Sequence, residues 1–175
     1  RVPGGEITVR APMVALAGGS ILSPAVLQRS GIARGVAGRT LHIHPVVAVS
    51  GIYGEPMAPW SGVPQSVMSD AYAGVAGAWG FRVEAAPTHP GLIASGFPWW
   101  DSAGHREAMV LAGRIASFLA IVRDRGTGRV DAGRDGSVTV RYAPGPQDRE
   151  LLRLGALELA RLHRAAGAER IVPLV

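Results

Sequence analysis

Glu84 lies within Phe81-Arg82-Val83-Glu84-Ala85-Ala86, a stretch in which larger apolar residues alternate with charged or small ones. Alternation predicts a strand with Glu84 on the face opposite Phe81 and Val83. A carboxylate in the middle of a strand is either solvated or paired with arginine, or else buried for a purpose. In the second case, a carboxyl group in an apolar pocket exchanges protons near neutrality, which a general base or an orienter of a substrate hydroxyl requires. His42 and His44 are two apart, so in an extended segment both imidazoles point to one side. Such a pair is a beginning for a metal site, but the chain has no cysteine, and His89 and His105 lie far off in unpatterned sequence. No metal is therefore expected. His163 falls inside a helical pattern and is expected to be a satisfied surface or core side chain. His105 and Glu107 are expected on the surface. Asp124-Arg125-Gly126-Thr127-Gly128-Arg129 lacks the Lys-Ser/Thr of a phosphate-binding loop and has no helix after it, so it reads as a turn.

The second stretch with chemical potential runs from Val14 to Ile32. Met13 to Ala17 is short and uniformly apolar, which predicts a buried strand. Gly18 and Gly19 then allow a turn and a close backbone approach. Ser23 as N-cap, Pro24 in the first helical position and Gly31 after Ser30 predict a short helix. A strand, glycine turn and helix can bring free N–H groups against phosphate or ribose oxygens, or can simply connect two elements.

The elements that must position these residues follow in order. Ile7, Val9 and Ala11 predict a half-exposed strand, and residues 1 to 6 are too short and glycine-rich to supply it a neighbour. Val46 to Tyr53 predicts a strand. Residues 54 to 80 form a long Gly/Pro-rich connection carrying Met57, Trp60, Gln65, Met68, Tyr72 and Trp79, which either line an apolar pocket or pack the loop down. The segment from Thr88 to Trp100 is loop and short helix, ending in the exposed pair Trp99 and Trp100. Ser102 caps a predicted helix to about Leu119, with Met109, Ala112, Ile115, Ala116 and Leu119 on one face. Leu119 to Val122 leads into a strand. The glycines at 126, 128, 133 and 136 mark a hairpin-like excursion that ends in the strand Val138 to Tyr142. Gly145 and Pro146 start a helix to about Ala166, stopped by Gly167, with Leu151, Leu154, Leu159 and Leu162 on its packing side. Ile171 to Val175 begins a last strand.

Gly19-Ser20, Ser23-Pro24, Val26-Leu27 and Ser30-Gly31-Ile32 resemble the second signature of the glucose-methanol-choline (GMC) oxidoreductases, departing from it at Ala33, where glycine is usual. Gly38-Arg39-Thr40-Leu41-His42-Ile43-His44-Pro45 resembles the family segment that leaves the FAD domain for the substrate domain, with Thr40 where Asn is usual. Glu84-Ala85-Ala86-Pro87 resembles the strand that carries an active-site glutamate in the cholesterol oxidase and long-chain alcohol oxidase branches. Asp124-Arg125-Gly126, the Tyr142 strand and Ala165-Ala166-Gly167-Ala168 follow the long-chain alcohol oxidase order. The resemblance implies an α/β to α+β fold: residues 1–44 as the end of an FAD-binding, Rossmann-like domain, and residues 45–175 as an incomplete substrate domain with an antiparallel sheet backed by helices. It implies FAD as cofactor, with Ala17, Gly18 and Gly19 bordering its nucleotide end. Glu84 would face an apolar, long-chain or sterol-like alcohol that is oxidised by hydride transfer to flavin. The family's Gly-x-Gly-x-x-Gly element and its catalytic His-x-x-Gly segment do not occur in the sequence, and His163 is followed by Arg164-Ala165-Ala166. The isolated chain is therefore expected to be inactive, as an internal fragment. The alternatives are a non-catalytic module that binds an apolar ligand and a truncated remnant.

Composition sets the outer bounds. At 175 residues, 47% hydrophobic and 18% charged, the chain fits a soluble globular protein. No apolar run approaches the roughly 20 residues of a membrane span. All 18 basic residues are arginine, scattered with no run of three, so the net charge of +5 does not point to nucleic acid. The absence of cysteine removes disulfides and thiolate chemistry, leaving cytoplasm as the default compartment. The opening Arg-Val-Pro-Gly-Gly offers neither an initiator Met nor the apolar core of a signal peptide, which fits a processed chain or a fragment.

Overall fold

The computed structural model describes residues 4–5 and 7–174, and the chain divides into two compact units. Val175, expected in the last strand, lies outside the described residues, as do most of residues 1–6.

The first unit combines residues 1–41 with 127–142. Its helix α1 spans Gly19–Arg29 and packs against a hairpin of β5 (Arg129–Ala132) and β6 (Val138–Arg141). Gln28 locks the two together: Nε2 donates to the carbonyls of Ala37 (2.8 Å) and Val130 (2.7 Å), and Oε1 accepts from Ala132 N–H (2.8 Å). The glycine after the helix behaves as the sequence requires, since Gly31 takes φ +70°. The start of α1 is corrected. The helix opens at Gly19, four residues before the expected cap, and Ser23 accepts the Gly18 N–H on its Oγ at 3.0 Å from inside the helix. Pro24 is thus an interior residue.

Met13 to Ala17 forms no strand. Met13 is 86% exposed and Val14 78%, and Ile7 to Ala11 is likewise unpaired by any ladder. A strand exists only as a member of a sheet, and no described strand pairs with either stretch.

The second unit, residues 42–126 and 143–175, is built on a five-stranded antiparallel sheet. Its strands are β1 (Val46–Ile52), β2 (Met68–Ser69), β3 (Phe81–Ala86), β4 (Ile115–Val122) and β7 (Arg170–Leu174). Their order is β2-β3-β4-β1-β7. The ladder sets Ala48 opposite Leu119 and Leu119 opposite Glu84, so these three share one face. On the other face Val49, Phe81, Val83, Ala120 and Val122 form the main core with Leu151 and Leu159 of α4 (Pro146–Ala165). The helices α2 (Pro90–Gly96) and α3 (Ser102–Val110) cover one end of the first face, where Ile52, Ile93, Phe97, Ala108, Ala112 and Ile115 form a second core.

Two expectations are corrected here. The helix from Ser102 stops at Val110, is capped by Asp101, and yields through a single turn at Ala112–Arg114 to β4. Strand β4 is central in the sheet and, apart from Ser117, apolar on both faces, so Ile115, Ala116 and Leu119 fit helical spacing by coincidence. On α4, Leu151 and Leu159 are buried and Leu154 packs against the core as expected, whereas Leu162 is 41% exposed and His163 is fully buried instead.

Candidate functional site

Strand β3 places Glu84 by simple alternation. Phe81 and Val83 point into the α4 core, which leaves Arg82, Glu84 and Ala86 on the opposite face. Glu84 is partly buried between Met68 and Leu119 of the neighbouring strands. Gln65, from the loop before β2, donates its Nε2–H to Glu84 Oε2 at 3.0 Å.

Two hollows border this stretch of the sheet, one reached by Ala86 and one by Arg82. The first, of about 130 Å3, is apolar: Ala48, Ala86, Leu119 and Leu174 are joined by Leu92 and Phe97. Its floor carries a buried pair of hydroxyls, Ser50 and Ser117, 2.7 Å apart and hydrogen-bonded to each other. The second, of about 500 Å3, is mixed: His42, His44, Arg82, Arg123 and Asp124 share its wall with Ala73, Phe81, Ile121 and Val122. Asp124 accepts the Ile43 N–H at 3.1 Å and stands 3.6 Å from His42 Nδ1. The two histidines do point to one side, as their spacing requires. Among the described residues, no three His, Cys, Asp or Glu side chains are grouped to hold a metal ion. Glu84 lines neither hollow; it stands on β3 between Arg82, which borders the larger, and Ala86, which borders the smaller.

The long connection divides between its two readings. Gln65 and Met68 stand beside Glu84, whereas Tyr72 stacks on Phe81 with ring centroids 4.9 Å apart and donates its hydroxyl to Glu158 at 3.0 Å. Trp79 carries two guanidinium groups, Arg123 at 4.9 Å and Arg125 at 4.8 Å from its ring. Tyr72 and Trp79 therefore hold the loop down. Sequence reasoning missed Ser50, Ser117 and Arg82. Ser117 was hidden by the helical reading of β4, and Arg82 carried a usable signal, since strand alternation alone puts it on the Glu84 face. His105 is only half at the surface, with Nε2 3.3 Å from the Ala94 carbonyl and its ring edge-on to Trp99. Glu107 is exposed and bonded to Arg170.

In the first unit, Ala17, Gly18 and Gly19 lie exposed at the start of α1. Gly19 has φ +67°, and a Cβ built there meets nothing within 4 Å, so its backbone is open to an approaching group. The first N–H groups of α1 have no acceptor within the helix, the arrangement that binds phosphate or ribose oxygens. These features fit the nucleotide end of FAD. They do so without the buried strand expected before the turn.

Over nearly its whole length the chain is similar to known oxidoreductases. It is 32% identical to a GMC-type oxidoreductase of Mycobacterium tuberculosis over 173 residues, 98% of this chain and 27% of that protein. The match supports reading this chain as part of a GMC-type oxidoreductase. Long-chain-alcohol oxidase FAO4A of Arabidopsis thaliana is 30% identical over 179 residues, covering 96% of this chain and 24% of the oxidase. Long-chain-alcohol oxidase FAO3 from the same plant is 29% identical over 94% of the chain. The chain thus spans about a quarter of the length of these curated relatives. No family model matches it. Among the described residues, no helix is long and apolar enough to cross a membrane.

Proposed function

We propose that this chain supplies the substrate face of a GMC-type, FAD-dependent alcohol oxidoreductase, with Glu84 as the group that accepts the hydroxyl proton. The observation that carries the reading is the seat of Glu84, a partly buried carboxylate on the β3 face whose neighbours Ala86 and Arg82 border a small apolar hollow and a larger mixed one. The apolar hollow would take the chain of a long-chain or sterol-like alcohol. Burial of the chain against Ala48, Leu119 and Phe97 would bring the carbinol end to Glu84. Glu84 Oε1 would then take the hydroxyl proton as the carbon–oxygen double bond forms. FAD, held at its nucleotide end by the backbone of Ala17, Gly18 and Gly19, would supply the acceptor for the carbinol hydride. Long-chain-alcohol oxidases among the relatives support this substrate class. Because the sequence has neither a Gly-x-Gly-x-x-Gly nor a His-x-x-Gly segment, turnover belongs to a longer protein that carries this chain and not to the 175 residues alone.

The test is Glu84→Gln in the flavin-loaded natural protein. Loss of a general base lowers alcohol turnover by about 100-fold or more, with the unfolding midpoint unchanged because Gln keeps the size and the hydrogen bond. Wild-type turnover by the variant overturns the reading.

A further inference from the structure

Gln65 has an uncommon backbone for its side chain. Its φ is +52°, in the left-handed region that costs a residue with a Cβ free energy and that recurs where function demands a geometry. The loop that carries it is pinned to the end of β3 at both sides. Thr88 N–H donates to the Pro59 carbonyl at 3.2 Å, and Ala85 N–H donates to the Val67 carbonyl at 3.4 Å. From this loop the carboxamide of Gln65 reaches Glu84 and occupies Oε2. Occupying one oxygen fixes the rotation of the carboxylate and leaves Oε1 as the acceptor for a substrate proton. The donor is neutral, so it fixes the carboxylate without cancelling its charge. Arg82, the charged residue on the same strand face, lines the larger hollow instead.

We propose that Gln65 is the positioning residue for Glu84, its left-handed backbone being the means by which the donor is aimed. The proposal rests on the reading of Glu84 as the proton acceptor. A merely structural Gln65 and a positioning one part company at glycine. Gln65→Gly relieves the left-handed backbone but deletes the donor, whereas Gln65→Leu deletes the donor and keeps the strain.

In the flavin-loaded natural protein, both variants are expected to lower kcat about tenfold with KM within about twofold, the scale of one hydrogen bond to a charged group. Gln65→Gly should do so while melting no lower than wild type. Wild-type kcat in Gln65→Gly overturns the proposal. A second readout needs no turnover. In the 15N spectrum of this chain, one Gln65 side-chain amide proton should be displaced downfield and exchange slowly, and Glu84→Ala should abolish both features. An amide signal unmoved by Glu84→Ala also overturns the proposal. Wild-type turnover in Glu84→Gln would instead remove the proton-acceptor reading beneath it, so the two failures are told apart.

Discussion

Neutral His163 ties helix α4 to strand β1. Its Nε2 lies 2.9 Å from the Val49 carbonyl, which can only accept, so Nε2 carries the proton and Nδ1 accepts from the Tyr53 hydroxyl at 2.8 Å. The ring is fully buried and tilted against Phe118, with centroids 4.7 Å apart. Burial pushes its pKa below the ordinary 6.5, only partly offset by the bond to Val49. The sign follows by linkage. Above pH 6.5 both states are neutral here and the site contributes its full stability. As pH falls from 6.5 toward the depressed folded value, the unfolded chain gains a proton that the folded one refuses, and stability drops by at most about 1.4 kcal/mol per pH unit. His163→Gln keeps a donor and an acceptor but does not titrate. Urea unfolding at pH 7.5 and pH 5 should therefore show a smaller acid loss in the variant than in wild type, and equal losses would rule the mechanism out. That a histidine in this helix would be a satisfied side chain was readable from its surroundings. Its partners were not, because Val49 and Tyr53 are more than a hundred residues away in sequence.

Helix α4 owes its position to one acid and one glycine. Asp148 is fully buried at the third helical position and accepts N–H groups from Arg125 (2.8 Å), Gly126 (2.9 Å) and Gly145 (3.0 Å). Burial raises its pKa, but these three donors and the Arg125 charge outweigh that and leave it lowered. Its contribution is therefore present above about pH 4 and lost as pH falls further. Gly155 lets the helix lie on the sheet, since a Cβ there would stand 2.7 Å from Ala120 Cβ. Gly155→Ala should destabilise by about 1–2 kcal/mol despite gaining about 1 kcal/mol of helix propensity, because overpacking against a central strand exceeds it. The urea midpoint checks this, and a stabilised variant would refute the close approach. Helix α4 was legible because Gly145-Pro146 and Gly167 punctuate it and its leucines recur with helical spacing. Strand β4 was not, because a strand with apolar residues on both faces loses its alternation and Gly113 does not by itself stop a helix. Met13 to Ala17 shows the converse. Its composition is that of a buried strand, yet a strand's hydrogen bonds must come from a neighbour that local sequence does not reveal.

At the scale of the whole molecule, the hairpin of β5 and β6 is an excursion. The chain leaves the sheet unit after Gly126 and returns at Ala143. Both apolar cores lie wholly within that sheet unit. The two ends of the excursion meet: a Cβ at Gly126 would stand 3.5 Å from the Ala143 carbonyl and 3.2 Å from Gly145 N, and Asp148 holds the N–H groups of both Gly126 and Gly145. A segment whose ends adjoin can be removed without moving the structure it leaves, because a shorter loop costs less entropy to close. Joining residues 42–126 to 143–175 through two or three glycines should therefore keep a single cooperative thermal transition, with its midpoint within about 5 °C of the parent's sheet-unit transition. Adding Asp148→Ala to this shortened chain should cost about 3 kcal/mol, since it strips the charged acceptor from three N–H groups at once. A broad, non-cooperative melt of the shortened chain would mean that the sheet unit depends on the removed residues, 1–41 and 127–142, for its core. The geometry at Asp148 argues the opposite, because every contact that closes the gap is made by residues that remain.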